Sequence, residues 1–207
     1  GMSKEEMGLG EALKAKKEAE EQKEIFMKGF DTSPNSMLLL EYKDKKAVIQ
    51  RVNYAFSKYY GYSQKEAVGK DPSILKSGIY QRKYYKRLWQ KVLDPKIGYW
   101  NDEIVNKRKD GSNISVILTI NTIFSDNIKP KYFIANHVDI TELKKSQRQL
   151  KESNEKYKKL FYNSDEAMII SGEKEIVDCN KAALRLFGFR SKKKLLSNNL
   201  LDLTDMS

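Results

Sequence analysis

The chain has 207 residues, of which 40% are hydrophobic, and a formal net charge of +11. This length and apolar content predict one or two packed domains and exclude a disordered chain. Cys179 is the only cysteine, which excludes an internal disulfide and a cysteine-based metal cluster and fits a reducing compartment. Because there is also only one histidine, the chain lacks the ligands of a tetrahedral zinc site, and no metal is predicted.

The distribution of charge and apolar residues also limits the partners of the chain. The lysines are spread over every segment and mixed with glutamate, which is the pattern of a solvated face and not of a nucleic-acid groove. No stretch approaches the roughly 20 apolar residues of a membrane helix, and no signal peptide follows the charged start. We therefore expect a cytoplasmic protein that contacts neither nucleic acid nor membrane.

The first predicted element is a helix over residues 4–28, which is rich in Ala, Glu and Lys. One face of this helix carries a narrow row, or seam, of mostly apolar residues. The seam buries little area by itself, so the helix needs a partner, either the sheet of its own domain or a second copy of the chain. The sequence leaves both partners open. The seam residues fall at alternating three- and four-residue steps: Ala12, Ala15, Ala19, Gln22 and Phe26.

Two strands and several short helices follow. Residues 37–42 and 47–52 are predicted to form a hairpin around the turn at residues 43–46. A helix is predicted from Asn53 to its stop at Gly61, and a second short helix begins at Ser63. A longer helix, which ends before Asp94-Pro95, has an apolar face made of Tyr84, Tyr85, Leu88, Trp89 and Val92.

Asp110-Gly111 lies between two apolar-periodic runs and predicts another hairpin. A type I′ turn needs positive φ at both central positions, and few other residue pairs tolerate it. Residues 104–108 and 114–124 are therefore predicted to be antiparallel neighbours, and residues 131–138 join them as a third strand. The whole order predicts an α+β arrangement with one antiparallel sheet.

At Asp139-Ile140-Thr141-Glu142 the sequence period changes from two to about 3.6, so a strand gives way to a helix. Asp139 or Thr141 can cap this helix, and Asp139 with Glu142 has capping-box spacing. The helix is predicted over residues 141–161. Its seam is interrupted by polar residues, so a coiled coil would be weak and its register cheap to shift. The apolar seam residues are seven apart: Leu143, Leu150 and Tyr157.

The first half of the domain then recurs. Asn53 precedes Gly61 by eight residues, and Asn180 precedes Gly188 by eight. The second copy stops after residues 200–203, and half a sheet cannot bury its core face, so residues 162–207 are expected to be poorly ordered or packed against a borrowed surface. Gly1 before Met2 is typical of a cloning remnant, and we expect a piece of a longer protein. Further matches are residues 49–52 with 176–179, Tyr60-Gly61-Tyr62 with Phe187-Gly188-Phe189, and Phe26 with Phe161.

Taken together, these features resemble a PAS sensory domain, in full over residues 25–145 and truncated over residues 155–207. The resemblance implies an α+β PAS fold: a five-stranded antiparallel sheet with short helices on one face, flanked by N-terminal and C-terminal helices. It divides the chain into an N-terminal helix (1–28), a PAS domain (29–140), a signalling linker helix (141–161) and a truncated second PAS repeat (162–207). The signposts are Asn53-Tyr54-Ala55-Phe56, Tyr60-Gly61-Tyr62, Val68-Gly69-Lys70, residues 100–111 and Asp139-Ile140-Thr141.

The sequence resembles one branch of this family more closely than the others. It includes the flavin-binding redox sensor of nitrogen fixation and PAS units that precede histidine kinases or cyclic-di-GMP enzymes. In such proteins the signal passes down the connecting helix to an output enzyme, which implies a relay through Asp139, Ile140 and Thr141 into residues 141–161. The residues that carry this likeness are Ile74-Leu75-Lys76-Ser77-Gly78, the helix at 85–89, and Trp100 followed by residues 106–111.

The resemblance leaves the cofactor open. In light-oxygen-voltage domains a cysteine a few residues after the glycine that matches Gly69 forms the flavin adduct, and that position is Pro72 here, so no photoadduct is expected. Asn106 and His137 match residues that lie against the flavin ring in flavin-binding relatives. A second ring-contacting asparagine is replaced by Val116. A redox-sensing FAD site is compatible with this pattern, as is a domain without any ligand.

The candidate ligand-binding residues are Asn106, His137, Trp100, Ile120 and Ile134. Three of them have a structural alternative: the histidine and the tryptophan as packing residues of the core, and the asparagine as a partner of the backbone. Two functions follow, a sensor that binds a small molecule or a ligand-free module that forms homodimers through the flanking helices. No carboxylate cluster, activated nucleophile or phosphate loop indicates an enzyme, although the full-length protein could carry a histidine kinase or diguanylate cyclase output domain.

Overall fold

The computed structural model describes residues 4–173 and 175–197, and the chain divides into two compact units, Gly1–Glu142 and Leu143–Ser207. The first unit contains a single five-stranded sheet with several short helices. Its elements are α1 (Lys4–Thr32), β1 (Ser36–Lys43), β2 (Lys46–Val52), α2 (Tyr54–Tyr60), α3 (Gln64–Ala67), a 3-10 turn (Pro72–Leu75), α4 (Arg82–Leu93), β3 (Tyr99–Lys107), β4 (Asn113–Ser125) and β5 (Lys129–Asp139).

The sheet has the strand order β2-β1-β5-β4-β3, and every neighbouring pair is antiparallel. The first strand therefore lies beside the last, at the centre of the sheet. Side chains alternate between the two faces, as the period of a strand requires. The predicted architecture, an antiparallel sheet with short helices, is confirmed. The core lies on the inner face, where the largest fully buried side chains include Tyr60, Phe56, Phe133, Leu38 and Ile49.

Some predicted boundaries differ from those in the structure. Strand β3 begins at Tyr99, five residues before the predicted start at Ile104, because Trp100 already alternates inward and pairs with Ile120. Helix α1 continues to Thr32, four residues beyond the predicted end. The last turn of α1 carries Phe30, which is buried at 3% exposure. Because the buried Phe30 side chain holds the last turn in place, α1 continues as far as Thr32.

The hairpin between β3 and β4 is present, but the predicted type I′ turn is wrong. Arg108 N donates to Ser112 O at 2.7 Å and Gly111 N donates to Arg108 O at 3.0 Å, which closes a three-residue loop. Gly111 has a φ of +86°, and Asp110 is not among the residues with positive φ. Instead, the Asp110 carboxylate accepts a hydrogen bond from Ser112 N at 2.9 Å. This is the loop in which a single left-handed glycine follows a type I turn.

Turns with two successive left-handed residues lie elsewhere. Asp44 and Lys45 connect β1 to β2 with φ values of 53° and 60°, and Asp126 and Asn127 follow β4 with 50° and 58°. These φ values match those of a type I′ turn. Neither pair contains glycine, so the usual sequence signal for this turn is absent from both.

The short helices on the inner face are fixed by their caps. The Asn53 side chain accepts a hydrogen bond from Phe56 N at the start of α2, and Gly61 ends that helix with a φ of 77°. Ser63 and Glu66 form a reciprocal capping box on α3. These caps set the length of α2 and so place Tyr60, its last residue, against the sheet.

The second unit repeats the beginning of the first. After α5 (Thr141–Asn163) it contains β6 (Ile169–Ser171), β7 (Ile176–Cys179), α6 (Lys181–Leu186) and α7 (Lys192–Leu196). These elements surround a small buried cluster, and the expectation that residues 162–207 are poorly ordered or packed against a borrowed surface stays a prediction. The predicted end of the copy at residues 200–203 lies outside the described residues. The cluster consists of Ile176, Cys179, Ala183 and Leu195.

The repeat extends to individual hydrogen bonds. Asn53 Oδ1 accepts from Met37 N and Phe56 N, both at 2.9 Å. Asn180 Oδ1 accepts in the same way from Met168 N at 3.0 Å and Ala183 N at 2.8 Å. In both copies one asparagine therefore joins the first strand to the first short helix.

The predicted equivalence of Phe26 with Phe161 is wrong. Phe30 precedes Met37 by seven residues, just as Phe161 precedes Met168. Phe30 and Phe161 are 3% and 5% exposed, whereas Phe26 is 49% exposed. Phe30 is thus the counterpart of Phe161, and each is the buried anchor of the helix that leads into its copy.

Neither a membrane span nor a metal cluster is found in the described part of the chain. None of its helices is long and apolar enough to cross a bilayer. Within the same residues, no group of three or more His, Cys, Asp or Glu side chains is placed to hold a metal ion.

Candidate functional site

A cavity of about 450 Å³ lies in the first unit, between the inner face of the sheet, the 3-10 turn and α4. Its walls are mainly apolar, and they come from the middle of the strands and from one face of α4. Such a volume and lining are typical of small-molecule sites. The apolar walls include Leu38, Leu40, Leu88, Trp89, Ile104, Leu118, Ile120 and Phe133.

A buried chain of polar side chains forms the floor of the cavity. Asn106 Nδ2 donates to Tyr60 Oη at 2.9 Å, and Tyr60 Oη lies 3.0 Å from His137 Nδ1. Ser36 Oγ lies 3.4 Å from the same nitrogen. Because the Tyr60 oxygen accepts from Asn106, its own proton is free to go to His137 Nδ1. The histidine then carries its proton on Nε2.

The floor is uncharged at neutral pH. His137 is 3% exposed, and burial lowers the pKa of its imidazole to about 3. Burial also raises the pKa of the Tyr60 hydroxyl well above its usual value. The desolvated environment disfavours the charged form of both groups. The site therefore offers hydrogen bonds without a formal charge.

Two atoms of this floor are free to bind a ligand. Among the described residues, no hydrogen-bond partner is found for His137 Nε2 or for Asn106 Oδ1, and both residues line the cavity. The first atom is a donor in the tautomer derived above, and the second is an acceptor. A bound molecule that offers an acceptor beside a donor would complement both.

Tyr60 is held over the floor by the loop between β3 and β4. Arg108 Nε donates to Tyr59 O at 2.8 Å, and Lys109 N donates to Tyr60 O at 2.8 Å. These bonds satisfy carbonyls at the end of α2 that have no partner inside the helix. The hairpin loop thus fixes the tyrosine hydroxyl between Asn106 and His137.

Three of the five predicted ligand-binding residues lie together. Asn106, His137 and Ile120 line the cavity, whereas Trp100 and Ile134 do not. Ile134 was placed on the wrong face: in β5 the buried inward residues are Phe133, Ala135 and His137, and Ile134 alternates with them. Trp100 is buried, with its ring edge-on to that of Tyr84 at 5.6 Å, as a packing residue of the core.

Sequence reasoning missed Tyr60 and the lysines around the opening. Tyr60 was named only within the Tyr60-Gly61-Tyr62 signpost and not as a site residue, although a buried tyrosine hydroxyl usually has a polar partner. Lys45, Lys46 and Lys76 also line the cavity, and all three are exposed. Their sequence positions give no signal, because the fold brings the β1–β2 turn and the segment after the 3-10 turn to one opening.

The end of β5 is tied to the neighbouring strand where α5 begins. Asp139 Oδ1 accepts a hydrogen bond from Thr141 N at 2.8 Å, and Thr141 Oγ1 accepts from Ser115 N at 3.2 Å. Ile140 N donates to Ser115 O at 2.9 Å, and its side chain is buried. The three predicted relay residues therefore hold the first turn of α5 against β4.

Comparison with known proteins agrees with this architecture. Residues 34–142 match a family model described as PAS domain, and residues 155–206 match a second PAS domain model. The first match covers more than half of the chain. The chain therefore belongs to the PAS domain family, and the predicted resemblance is confirmed.

The relatives are regulatory proteins. A nitrogen fixation regulatory protein of Klebsiella oxytoca is 24% identical over 144 residues, which cover 70% of this chain and 29% of the relative. Its namesake in Klebsiella pneumoniae is 23% identical over the same shares. The chain thus spans less than a third of the length of the curated relatives it matches.

Solved structures support the fold alone. An RNA-binding light-oxygen-voltage receptor aligns with a TM-score of 0.55 at 16% identity, covering 63% of this chain and 36% of the receptor. A light-oxygen-voltage protein of Rhodobacter sphaeroides aligns with a TM-score of 0.52 at 16% identity, covering 58% of this chain and 68% of that one. The α+β PAS fold is thereby confirmed.

The cavity residues fit a flavin ring. The walls offer apolar and aromatic surface, and the floor offers one acceptor and one donor that have no partner in the described protein. Val116 is fully buried and is not a lining residue, so it contributes no polar group. Pro72 lines the cavity, and the single cysteine, Cys179, belongs to the other unit.

Proposed function

We propose that the first PAS domain binds a small molecule or cofactor in this cavity and relays the binding state through α5 to a downstream output domain. The observation that supports the proposal best is an apolar cavity whose polar lining atoms lack a protein partner in the described residues: Asn106 Oδ1, His137 Nε2 and the buried Tyr85 Oη. A bound molecule that offers hydrogen-bonding groups at these positions would satisfy them. The described residues have no catalytic role in this proposal.

The proposed relay follows β5. His137 lies two residues before Asp139 on the same strand, and Asp139 caps the first turn of α5. A ligand that moves His137 also moves the end of β5, and with it the hydrogen bond from Thr141 N to Asp139 at the start of α5. It shifts the helix only to the extent that it binds one arrangement more tightly than the other.

Flavin is one candidate for the molecule. Asn106 and His137 would hold the polar edge of the ring, and the apolar walls would enclose its body. A bound flavin supplies reversible two-electron chemistry. The protein side of the site contributes orientation and a neutral hydrogen-bonding floor.

A second candidate function is association of two copies through the flanking helices. Several large apolar side chains are exposed on α1 and α5, and a thin seam of this kind is stabilised by a partner helix. This surface supports a homodimer whether or not the cavity binds a ligand. The exposed residues are Leu9, Leu13 and Ile25 on α1 and Leu143, Leu150 and Leu160 on α5.

The binding proposal is tested by filling the cavity. Ala135→Leu adds bulk to an inward position of β5, and Ile134→Leu is the matched control on the outer face. Native mass spectrometry of the purified chain, followed by titration with FAD or FMN, measures occupancy and affinity. We expect Ala135→Leu to weaken binding at least tenfold and Ile134→Leu to change it less than twofold, because only the first occupies ligand space.

Circular dichroism confirms that both variants keep the fold. Equal affinity in the two variants would place the ligand outside the cavity. A chain that binds neither flavin and shows no bound mass would leave association through the helices as the supported function.

A further inference from the structure

We infer that the ligand of this cavity carries an anionic group, a phosphate or a carboxylate, which is bound by Lys45, Lys46 and Lys76 at the opening. The inference rests on the proposed ligand-binding function and adds the chemical class of the ligand. It follows from where charge is placed around the cavity: the walls are apolar, the floor is neutral, and every charged lining residue is exposed.

The charge at the opening is positive. The charged lining residues are the three lysines and Asp71. The Asp71 carboxylate already accepts a hydrogen bond from Ser73 N at 2.8 Å, as the cap of the 3-10 turn. Within the described residues, no ion pair engages any of the three lysines. The positive charge at the rim is therefore available to a ligand.

The lysines reach the opening from two separate elements. Lys45 lies in the β1–β2 turn, where it adopts a left-handed φ of 60°, and Lys46 is the first residue of β2. Lys76 follows the 3-10 turn, and its backbone forms an isolated bridge to Asn106. Its ammonium lies 4.3 Å from the ring centroid of Tyr85, another lining residue. The rim and the floor are thus joined through Lys76 and Asn106.

These three lysines differ from the others in their position and not in lacking an ion pair. At the opening, three lysines and one carboxylate, Asp71, flank an apolar space, which leaves an excess of positive charge. Such a distribution attracts an anion and orients a molecule whose other end is apolar. The ligand is therefore amphiphilic, with its body inside and its anion at the rim.

Two chemical sources share this description, a heterocycle with a phosphate tail and an alkyl chain with a carboxylate. Two matched ligand pairs distinguish them: FMN against riboflavin, and decanoate against decanol. Within each pair the body is nearly the same and the anionic group is present in only one member. The pair whose anionic member binds more tightly than its neutral member identifies which of the two sources occupies the cavity.

The experiment measures the affinity of all four compounds for the wild-type chain and for two triple variants. Lys45→Gln/Lys46→Gln/Lys76→Gln removes the rim charge. Lys58→Gln/Lys107→Gln/Lys129→Gln removes the same net charge from exposed positions outside the cavity lining. In the wild type we expect the anionic member of one pair to bind at least tenfold more tightly, with a preference that weakens as salt rises. The rim variant loses this preference and the control keeps it.

The failures of the two proposals are distinguishable. If compounds bind the wild type but neither pair shows tighter binding of its anionic member, the anionic ligand class is overturned while ligand binding stands. If the preference persists in the rim variant, the three lysines are not the anion site. If none of the four compounds binds and no bound mass is detected, the proposed function is overturned and the anionic ligand with it.

Discussion

At the scale of single residues, the buried asparagine Asn53 makes the most connections. Its Oδ1 accepts from Met37 N and Phe56 N, and its Nδ2 donates to Asn35 O at 2.8 Å and to Phe30 O at 3.1 Å. One amide thereby uses its full hydrogen-bonding capacity to join α1, β1 and α2. An aspartate would lose the donors, and a leucine would leave the backbone groups unpaired.

His137 makes stability depend on pH in a way that a substitution can isolate. In the unfolded chain its pKa is near 6.5, whereas burial lowers it to about 3 in the folded state. Below pH 6.5 the unfolded state binds a proton that the folded state does not, so the free energy of unfolding falls as pH falls. The slope is about 1.4 kcal/mol per pH unit, or roughly 2 to 3 kcal/mol by pH 4.5.

Urea unfolding of the wild type and of His137→Gln between pH 7.5 and 4.5 measures this effect. Carboxylates such as Glu66, whose pKa the Lys109 ammonium lowers to about 2, contribute equally to both proteins. The wild type should therefore lose more stability than the variant, and only below pH 6.5. Parallel curves would show that His137 is protonated in the folded protein as readily as in the unfolded chain.

At the scale of elements, the first turn of α5 depends on β4 and β5 together. Thr141 N donates to Asp139 of β5, and Ser115 N of β4 donates to the Thr141 hydroxyl. The first residue of α5 is therefore hydrogen-bonded directly to residues of both strands. A displacement of either strand changes the capping bonds directly.

We predict that Asp139→Ala loosens this first turn. Loss of a capping carboxylate costs about 1 kcal/mol, which corresponds to roughly a fivefold increase in amide exchange over residues 141–145. Hydrogen exchange followed by mass spectrometry measures it. The control is Glu152→Ala, which removes a carboxylate paired with Arg148 at 2.8 Å in the exposed middle of the same helix. Unchanged exchange in Asp139→Ala would mean that the backbone bonds at Ile140 and Ser115 suffice.

At the scale of the whole molecule, both long helices expose apolar side chains. Leu150 is 71% exposed and Leu143 is 56% exposed, and the two lie seven residues apart on α5. Surface of this kind is stabilised by association, and the polar residues of the seam keep that association weak. Reversible dimerisation is therefore expected within ordinary laboratory concentrations.

Light scattering over a concentration series tests this expectation. The measured mass should rise from that of one chain toward twice that value. Leu143→Asn/Leu150→Asn should raise the dimer dissociation constant at least tenfold, because two apolar contacts are lost from the seam. Lys151→Asn, one position away from the seam, serves as the control. A mass that stays at one chain throughout would exclude dimerisation through α5.

The fold could be predicted from the sequence because its determinants are local. Asn53, Gly61, Ser63 and the Asp139 junction act within a few residues, and strand alternation assigns the faces. Ile134 shows the same rule misapplied: it is three residues from His137, and a period of two puts such residues on opposite faces. The type I′ turn was misassigned because Asp110-Gly111 also suits a three-residue loop.

The site was predictable only in part, because its geometry is nonlocal. The resemblance indicated Asn106 and His137, which come from β3 and β5. Tyr60 reaches them only because the β3–β4 loop binds the end of α2. The rim lysines come together through tertiary packing, so no spacing rule along the chain could have placed them.

The positions of Phe30 and Phe161 have a consequence for how consecutive copies of the domain are joined. Each is the buried anchor of the helix that leads into its copy, yet Phe161 belongs to the same helix, α5, that leaves the first copy. The outgoing helix of one domain is thus also the incoming helix of the next. In this tandem pair a single helix, α5, therefore serves both domains.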